Sequence, residues 1–303
     1  MEKIKLGQSG LLSPRLVYGC MRLVGDNSKA SRAKGMGAIL AAIEAGYSHF
    51  DHADIYGGGE CEALFGEVLR GNPGLRDRLI LTSKCGIRKA GKPHADDPTR
   101  YDFSKQHLIA SVEGSLRRLG VDCLHVLLLH RPDYLFDAQE VAAAFQDLHD
   151  SGKVRHFGVS NFKPSQVALL QGASPFPLLI NQIEINIHNI DALEDRTLDK
   201  CQQLGMTPQA WCPLGGVVYP AWGNTFSAQD EARIRAEFAR QAQIYQTEGW
   251  IVMLAWLLRH PANIVPVIGT TTPERIRAAK QALALDYSRE DWYRLLEARN
   301  GRA

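Results

Sequence analysis

The chain has no run of about 18 apolar residues, so a membrane-spanning helix is excluded. It begins Met1-Glu2-Lys3-Ile4-Lys5-Leu6-Gly7, without the apolar stretch of a secretory leader, and the expected location is cytoplasmic. Blocks of like charge are missing too: 35 Lys and Arg stand against 33 Asp and Glu, a formal charge of +2. Neither nucleic acid nor a membrane surface is therefore expected as a partner. The six cysteines (Cys20, Cys61, Cys85, Cys123, Cys201 and Cys212) form no C-x-x-C pair, which argues against a disulfide frame or a structural zinc and for free thiols. No Pro/Gly/Ser-rich linker divides the 303 residues, and a 45% hydrophobic content suffices for a large core. What remains is a small-molecule partner.

What is present is a repeat. Eight short aliphatic or β-branched runs (16–18, 47–51, 79–84, 122–130, 154–160, 178–185, 207–212 and 264–268) alternate with stretches of helical period. Several of these helices have readable ends: 30–45 before Gly46, 104–119 before Gly120, 138–151 before Gly152, and 192–204 before Gly205. Others open at Pro164 and Pro273. A helical return after each strand makes the strands parallel, and the unbroken apolarity of Leu124 to Leu129 fits a strand covered on both faces. Eight such units predict an α/β fold, a single (β/α)8 TIM barrel spanning 1–303 with an N-terminal β-hairpin over 1–13 and an extra C-terminal helix. The alternative, a doubly wound sheet, lacks its G-x-G-x-x-G after the first strand. A barrel that closes its own sheet predicts a monomer. The stretches 88–102 and 215–229 are too long for tight turns and are expected to act as lids or pocket walls.

In such a barrel the chemistry sits where strands end and loops begin. Asp51 ends the second strand, Lys84 the third and His130 the fourth, while Tyr56 follows Asp51 by five residues. His130 shares its parity with Leu124, Val126 and Leu128, so it points into the mouth if they point inward. A tyrosine is a poor acid at neutral pH unless a cation favours its phenolate. Lys84 can be that cation, Asp51 can hold it charged, and His130 can hydrogen-bond the oxygen that receives the proton. Singly each has an ordinary reading: an ion pair, a turn aromatic, a satisfied loop histidine. At consecutive strand ends they suit proton delivery to a carbonyl oxygen as hydride reaches its carbon. His52 and Asp54, in the same loop, read as structural hydrogen-bonders.

These residues and their neighbours resemble the aldo-keto reductases. The resemblance rests on Asp51-x4-Tyr56-Gly57, Ser83-Lys84, Leu129-His130-x-Pro132-Asp133, Gly158-Val159-Ser160-Asn161-Phe162, Asn181-Gln182-x-Glu184 and the Pro213-Leu214-Gly215 turn, in order across nearly the whole chain. The wording around them is similar to a bacterial branch of oxidoreductases. The resemblance implies reduction of an aldehyde or ketone with NADP(H), NAD(H) being possible, and a catalytic tetrad of Asp51, Tyr56, Lys84 and His130. It implies that Ser160, Asn161 and Gln182 bind the nicotinamide carboxamide, that Trp211 stacks on the ring, and that Leu214, Gly215 and Gly216 lie along the pyrophosphate. Gly269, Thr270 and Thr271, which precede a helix start, and Arg275 are implied at the phosphate end.

Two positions depart from the family pattern: Gly269 stands where many members have Lys, and Ala279 where many have Asn. Cys212 replaces a usual Ser and is expected close to the cofactor. Met21, Arg22, Tyr219 and Trp222 are the expected substrate contacts, with Cys20, Leu23 and Ile87 nearby. Two other readings stand beside reduction. One is a nucleotide-binding redox sensor or regulatory subunit with slow turnover. The other, a metal-dependent hydrolase using His49, His52, His130 or His156, lacks any His-x-His or His-Glu-x-x-His spacing, and no metal is expected.

Overall fold

A computed structural model describes residues 1–218 and 226–301, so Tyr219 and Trp222 lie outside the described residues. In chain order the first strands are β1 (Lys3–Lys5), β2 (Leu12–Pro14), β3 (Val17–Gly19), β4 (His49–Asp51), β5 (Ile80–Cys85), β6 (Ile87–Arg88) and β7 (Arg100–Tyr101). The later ones are β8 (Leu124–Leu129), β9 (Val154–Ser160), β10 (Leu178–Glu184), β11 (Thr207–Trp211) and β12 (Val265–Ile268). Strands β3, β4, β5, β8, β9, β10, β11 and β12 close into a barrel in that order, every neighbour parallel. All eight expected runs are barrel strands, and the doubly wound alternative is thereby excluded.

The strands alternate as a two-faced wall. In β8, Val126 and Leu128 point inward, while Leu127 and Leu129 join the large core shared with the surrounding helices. The floor is supplied by the β1–β2 hairpin. Leu6 packs with Val126, Leu128, Leu179 and Ile180, and Ile4 with Val17, Val265 and Val267. Gly7 permits this close seating: its φ is +55°, and a Cβ there would fall 2.7 Å from the Leu179 carbonyl oxygen. Above the floor, buried His49 bridges Ser13 Oγ and Thr82 Oγ1, each at 2.8 Å.

The helix ends follow local chemistry. Ser104 caps Lys105–Leu119, and Gly120 closes it at φ +66°. The structure departs from the expected helices at 192–204, which is two pieces, Asp191–Glu194 and Thr197–Gln203, because Arg196 takes a left-handed φ of +67° between them. Residues 88–102 are no plain loop: β6 and β7 pair antiparallel, and Arg88 holds Asp102 at 2.6 Å. The expected loop over 215–229 ends in a helix, Ala228–Ile244, capped by Ser227. The C-terminal helix Arg289–Asn300 is fastened by Trp292, which stacks on Trp256 at 4.8 Å, each indole N–H donating to the other's carbonyl at 3.1 Å.

If the hairpin is the floor of the barrel, Leu6→Ala should cost about 2–5 kcal/mol, as a large-to-small change in a packed core does. Urea unfolding checks this. A loss below about 1 kcal/mol would mean that the strands close the bottom without it.

Candidate active site

The upper rim of the barrel is polar because inward positions there carry charge. Asp51 lies two residues beyond His49, and Lys84 two beyond Thr82, so all four face inside on adjacent strands. The Lys84 Nζ donates to Asp51 Oδ2 at 2.6 Å, to the His52 carbonyl at 2.9 Å and to the Tyr56 hydroxyl at 3.1 Å. An ammonium has three N–H donors, and each has an acceptor. Asp51 uses its other oxygen to accept from Gln182 Nε2 at 2.9 Å. Tyr56 opens a short 3-10 turn, Tyr56–Gly59, in which Gly57 and Gly58 take left-handed φ values of +58° and +68°. That turn arches the chain over the rim. The Tyr56 ring meets His130 edge to face, with centroids 5.9 Å apart.

Burial decides the protonation states. Burial alone would lower the Lys84 pKa, but Asp51 and then Tyr56 hold it above the ordinary lysine value. His130 is pushed well below its usual value, first by burial and then by the positive charges of Lys84 and Arg131, so its ring is neutral. Buried His52 falls to about 3 for the same two reasons, burial first and Lys84 second. For Tyr56 the outcome differs from the expectation that Lys84 depresses it: burial is the larger effect and raises the phenol, with Lys84 opposing. The phenol is therefore protonated at neutral pH.

Around the same mouth a second network gathers Ser160, Asn161, Gln182 and Trp211. Ser160 Oγ donates to the Gln182 carbonyl at 2.8 Å and accepts from Asn161 Nδ2 at 2.9 Å. Asn161, at φ +63°, also donates to the His130 carbonyl at 3.2 Å and accepts from the Trp211 indole N–H at 2.8 Å. Gln182 Nε2 is shared between Asp51 and Gln209 Oε1. The side-chain donors here are thus committed within the chain, and spare capacity lies on acceptors: a lone pair on Ser160, one on Asn161, and Gln182 Oε1. A primary amide, with two N–H donors, fits that set. The Arg131 guanidinium lies 5.6 Å from the Trp211 ring centroid.

The remaining rim positions are mixed. In the turn Leu214, Gly215, Gly216 both glycines are also required by packing within the chain. A Cβ on Gly215 would meet Asn186 Nδ2 at 2.7 Å, and one on Gly216 would meet His188 Nδ1 at 1.9 Å. The Gly215 N–H is spent on the Cys212 carbonyl at 3.0 Å. Cys212 sits at this turn with φ +53°. Beyond β12, the Thr270 carbonyl accepts from the Tyr18 hydroxyl at 2.9 Å, Thr270 Oγ1 accepts from the Thr272 N–H, and Thr271 is half-buried. Arg275 is exposed on the following helix. Met21 is 48% exposed. Of the four histidines considered as metal ligands, His49 is held by Ser13 and Thr82 and His52 lies 3.6 Å from Cys20 Sγ, while His130 meets the Tyr56 ring and His156 lies on β9. No cluster able to hold a metal gathers among the described residues.

The family model described as Aldo/keto reductase family matches residues 15–300. The chain belongs to this family. Among curated relatives, Oxidoreductase YdhF of Escherichia coli is 42% identical, with 99% of this chain and 98% of that protein covered. The 6-dehydroglucose reductase of Agrobacterium fabrum is 41% identical over 97% of both. Among solved structures, the thermostable aldo-keto reductase Tm1743 superposes with a TM-score of 0.83 at 26% identity, covering 98% of this chain and 100% of that one. An aldo/keto reductase from Klebsiella pneumoniae, solved with NADP and acetate, shares the fold at TM-score 0.80 and 24% identity, over 97% and 94% of the chains.

Two features of this aldo/keto reductase site escape the sequence reading. Gln209 joins Gln182 inside the barrel, signalled only by a polar residue at an inward position of β11. Glu62, fully buried, accepts from Ser83 Oγ at 2.6 Å and from Arg118 Nε at 2.8 Å. Ser83, between two inward residues, had to face a helix, and that parity was the available signal. Asp54 lies beside this group, and burial, then Glu62, pushes its carboxyl up to about 7.

Removing one partner of a buried ion pair strands the other's charge. Lys84→Met should therefore destabilise the fold by about 3–5 kcal/mol. Adding Asp51→Asn should recover part of that loss in the same urea titration. Equal stability of wild type and Lys84→Met would show that Asp51 needs no counter-charge.

Proposed function

We propose that this aldo/keto reductase is an NADP(H)-dependent carbonyl reductase that converts an aldehyde or ketone to an alcohol, Tyr56 supplying the proton. The observation that carries the reading is the buried Lys84 ammonium, whose three donors meet Asp51, the His52 carbonyl and the Tyr56 hydroxyl. Tyr56, kept protonated by burial, donates to the carbonyl oxygen as negative charge develops there. Lys84 then holds the phenolate that remains, its charge already in place and needing no reorganisation. Asp51 keeps Lys84 charged and aimed. Neutral His130 offers a hydrogen bond to the same substrate oxygen and orients the carbonyl.

A reduced nicotinamide, when bound, supplies the hydride. Ser160, Asn161 and Gln182 would hold its carboxamide through their spare acceptors, and Trp211 offers a planar face for its ring. Thr270, Thr271 and the exposed Arg275 would take the phosphate end, and Arg275 favours the 2′-phosphate of NADP(H) over NAD(H). The relative named 6-dehydroglucose reductase makes a polyhydroxylated aldehyde the first compound to try. We read residues 1–303 as one catalytic domain acting as a cytoplasmic monomer.

Tyr56→Phe should bind NADPH like the wild type, measured by fluorescence titration, and reduce aldehydes about 10²–10⁴-fold more slowly. Near-normal turnover would remove Tyr56 from the acid role. Single-turnover NADPH oxidation separates a reductase from a slow sensor. The pH dependence follows from the two shifts. Tyr56 is raised above the ordinary phenol value and His130 is lowered below the ordinary imidazole value. Between about 6.5 and 10 neither changes protonation, so kcat for reduction should show no limb from either group in that range.

A further inference from the structure

Outside the barrel wall, behind Tyr56 and Lys84, lies a charged group that the proton-transfer reading leaves unused. Glu62, fully buried on the helix Glu60–Gly71, accepts from Ser83 Oγ at 2.6 Å and from Arg118 Nε and Nη2 at 2.8 and 2.7 Å. Ser83 immediately precedes Lys84 on β5, so the first of these bonds fixes the strand beside the cation. Arg118 comes from the helix Lys105–Leu119 and lies along the last glycine of the Tyr56 turn. A Cβ on Gly59, whose φ is +99°, would fall 2.8 Å from Arg118 Cδ. Gly66 lets the two helices approach closely enough for this reach, because a Cβ there would collide with the Arg118 carbonyl. On the loop itself, the Asp54 N–H donates to the Lys84 carbonyl at 3.0 Å. The strand that carries Lys84 and the turn that carries Tyr56 thus share one clasp.

The Asp54 carboxyl faces that clasp. Around it stand Glu62 from one helix, Arg118 and Ser111 from the other, and the Cys85 thiol from β5. Its Oδ1 is closed to solvent and accepts no hydrogen bond among the described residues. A second carboxylate here would draw on Arg118, the counter-charge that Glu62 already uses. We propose that Glu62 is a positioning residue for proton transfer, which with Arg118 holds the Tyr56 turn against the Lys84 strand, and that Asp54 loosens this grip when it ionises and competes for Arg118. The proposal rests on the reductase reading above. Burial and then Glu62 keep the Asp54 proton on up to about 7, so the grip is firm below that pH and weakens above it.

Steady-state reduction of a reactive aldehyde by the full-length protein, with saturating NADPH and a pH series, tests the idea. Wild-type kcat should fall as pH rises through about 7, a range in which neither Tyr56 nor His130 titrates. Asp54→Asn, which mimics the protonated acid, should keep its low-pH kcat across that range. An unfolded Asp titrates near about 4, so wild-type stability to urea should also decline from there through about 7, and Asp54→Asn should lose that slope. Glu62→Gln and Arg118→Met should lower kcat about tenfold to a hundredfold, as misplacement of reacting groups by about 1 Å does, with NADPH binding unchanged. Arg118→Lys should recover part of that rate. A wild-type profile flat through 7, or a limb there that survives Asp54→Asn, would overturn the proposal, and the Asp54 arm decides even where Glu62→Gln fails to fold. Wild-type turnover by folded Glu62→Gln would overturn it too, as would a slow Glu62→Gln whose NADPH binding is weakened to the same degree. Wild-type protein that binds NADPH yet reduces no aldehyde at any pH would instead sink the reductase reading.

Discussion

A single positive charge, the Lys84 ammonium, is buried at the mouth of the barrel, and together with burial it sets the protonation of the groups around it. Moving an ammonium out of water is expensive, and the cost is offset only where opposite charge and hydrogen bonds surround it. Asp51 brings the opposite charge, the His52 carbonyl brings a dipole, and the Tyr56 hydroxyl completes the set. The requirement explains the local sequence. A carboxylate must end β4 because β5, its neighbour, carries the cation one residue before its end, and a turn rich in left-handed glycine must follow to carry a phenol back over it. The same charge reaches His52 and His130 and helps keep both neutral. A site with one cation and two neutral imidazoles results from the burial of each ring, reinforced by the one charge they share as a neighbour.

The interior is graded to make this possible. At the bottom, Leu6 and Ile4 from the hairpin seal an apolar floor. Next comes the His49 layer, satisfied by Ser13 and Thr82, and only above it the charged layer. Gln182 joins the two halves of the rim, since one amide nitrogen serves Asp51 while its backbone carbonyl serves Ser160. The residues offering acceptors to an amide and the residues holding the cation are thus one hydrogen-bonded unit. A shift in either is felt by the other, which is how networks of this kind specify one geometry.

Much of this was legible in the sequence, for identifiable reasons. The barrel follows from eight repeated strand–helix units without the glycine fingerprint of a doubly wound sheet, and Asp51, Lys84 and His130 are visible because a polar residue follows an apolar run at a strand end. Tyr56 is visible through its spacing from Asp51. What escaped depends on partners far apart in the chain or on a balance of opposing effects. The Glu62–Arg118 pair spans 56 positions, and neither residue stands out on its own helix. The break at Arg196 requires a left-handed residue that the period cannot announce. That the glycines of 215–216 also make room for Asn186 and His188, from the loop after β10, is likewise a contact between distant positions.

The phenol shows most plainly how a correct contact can yield the wrong sign. From the residues alone, a cation beside a tyrosine lowers its pKa, and the contact is present at 3.1 Å. Yet desolvation of the phenolate outweighs the attraction, so the resting group is a weaker acid than tyrosine in water. For a proton donor this ordering is useful. A phenol acidified outright would lose its proton to solvent before substrate arrived. One raised by burial keeps it, and transfers it only when a carbonyl oxygen takes on charge within reach. At that moment the attraction of Lys84 acts on the phenolate left behind, from a charge already held in place. Lys84 therefore reduces the cost of leaving a phenolate without outweighing the burial that keeps the resting phenol protonated.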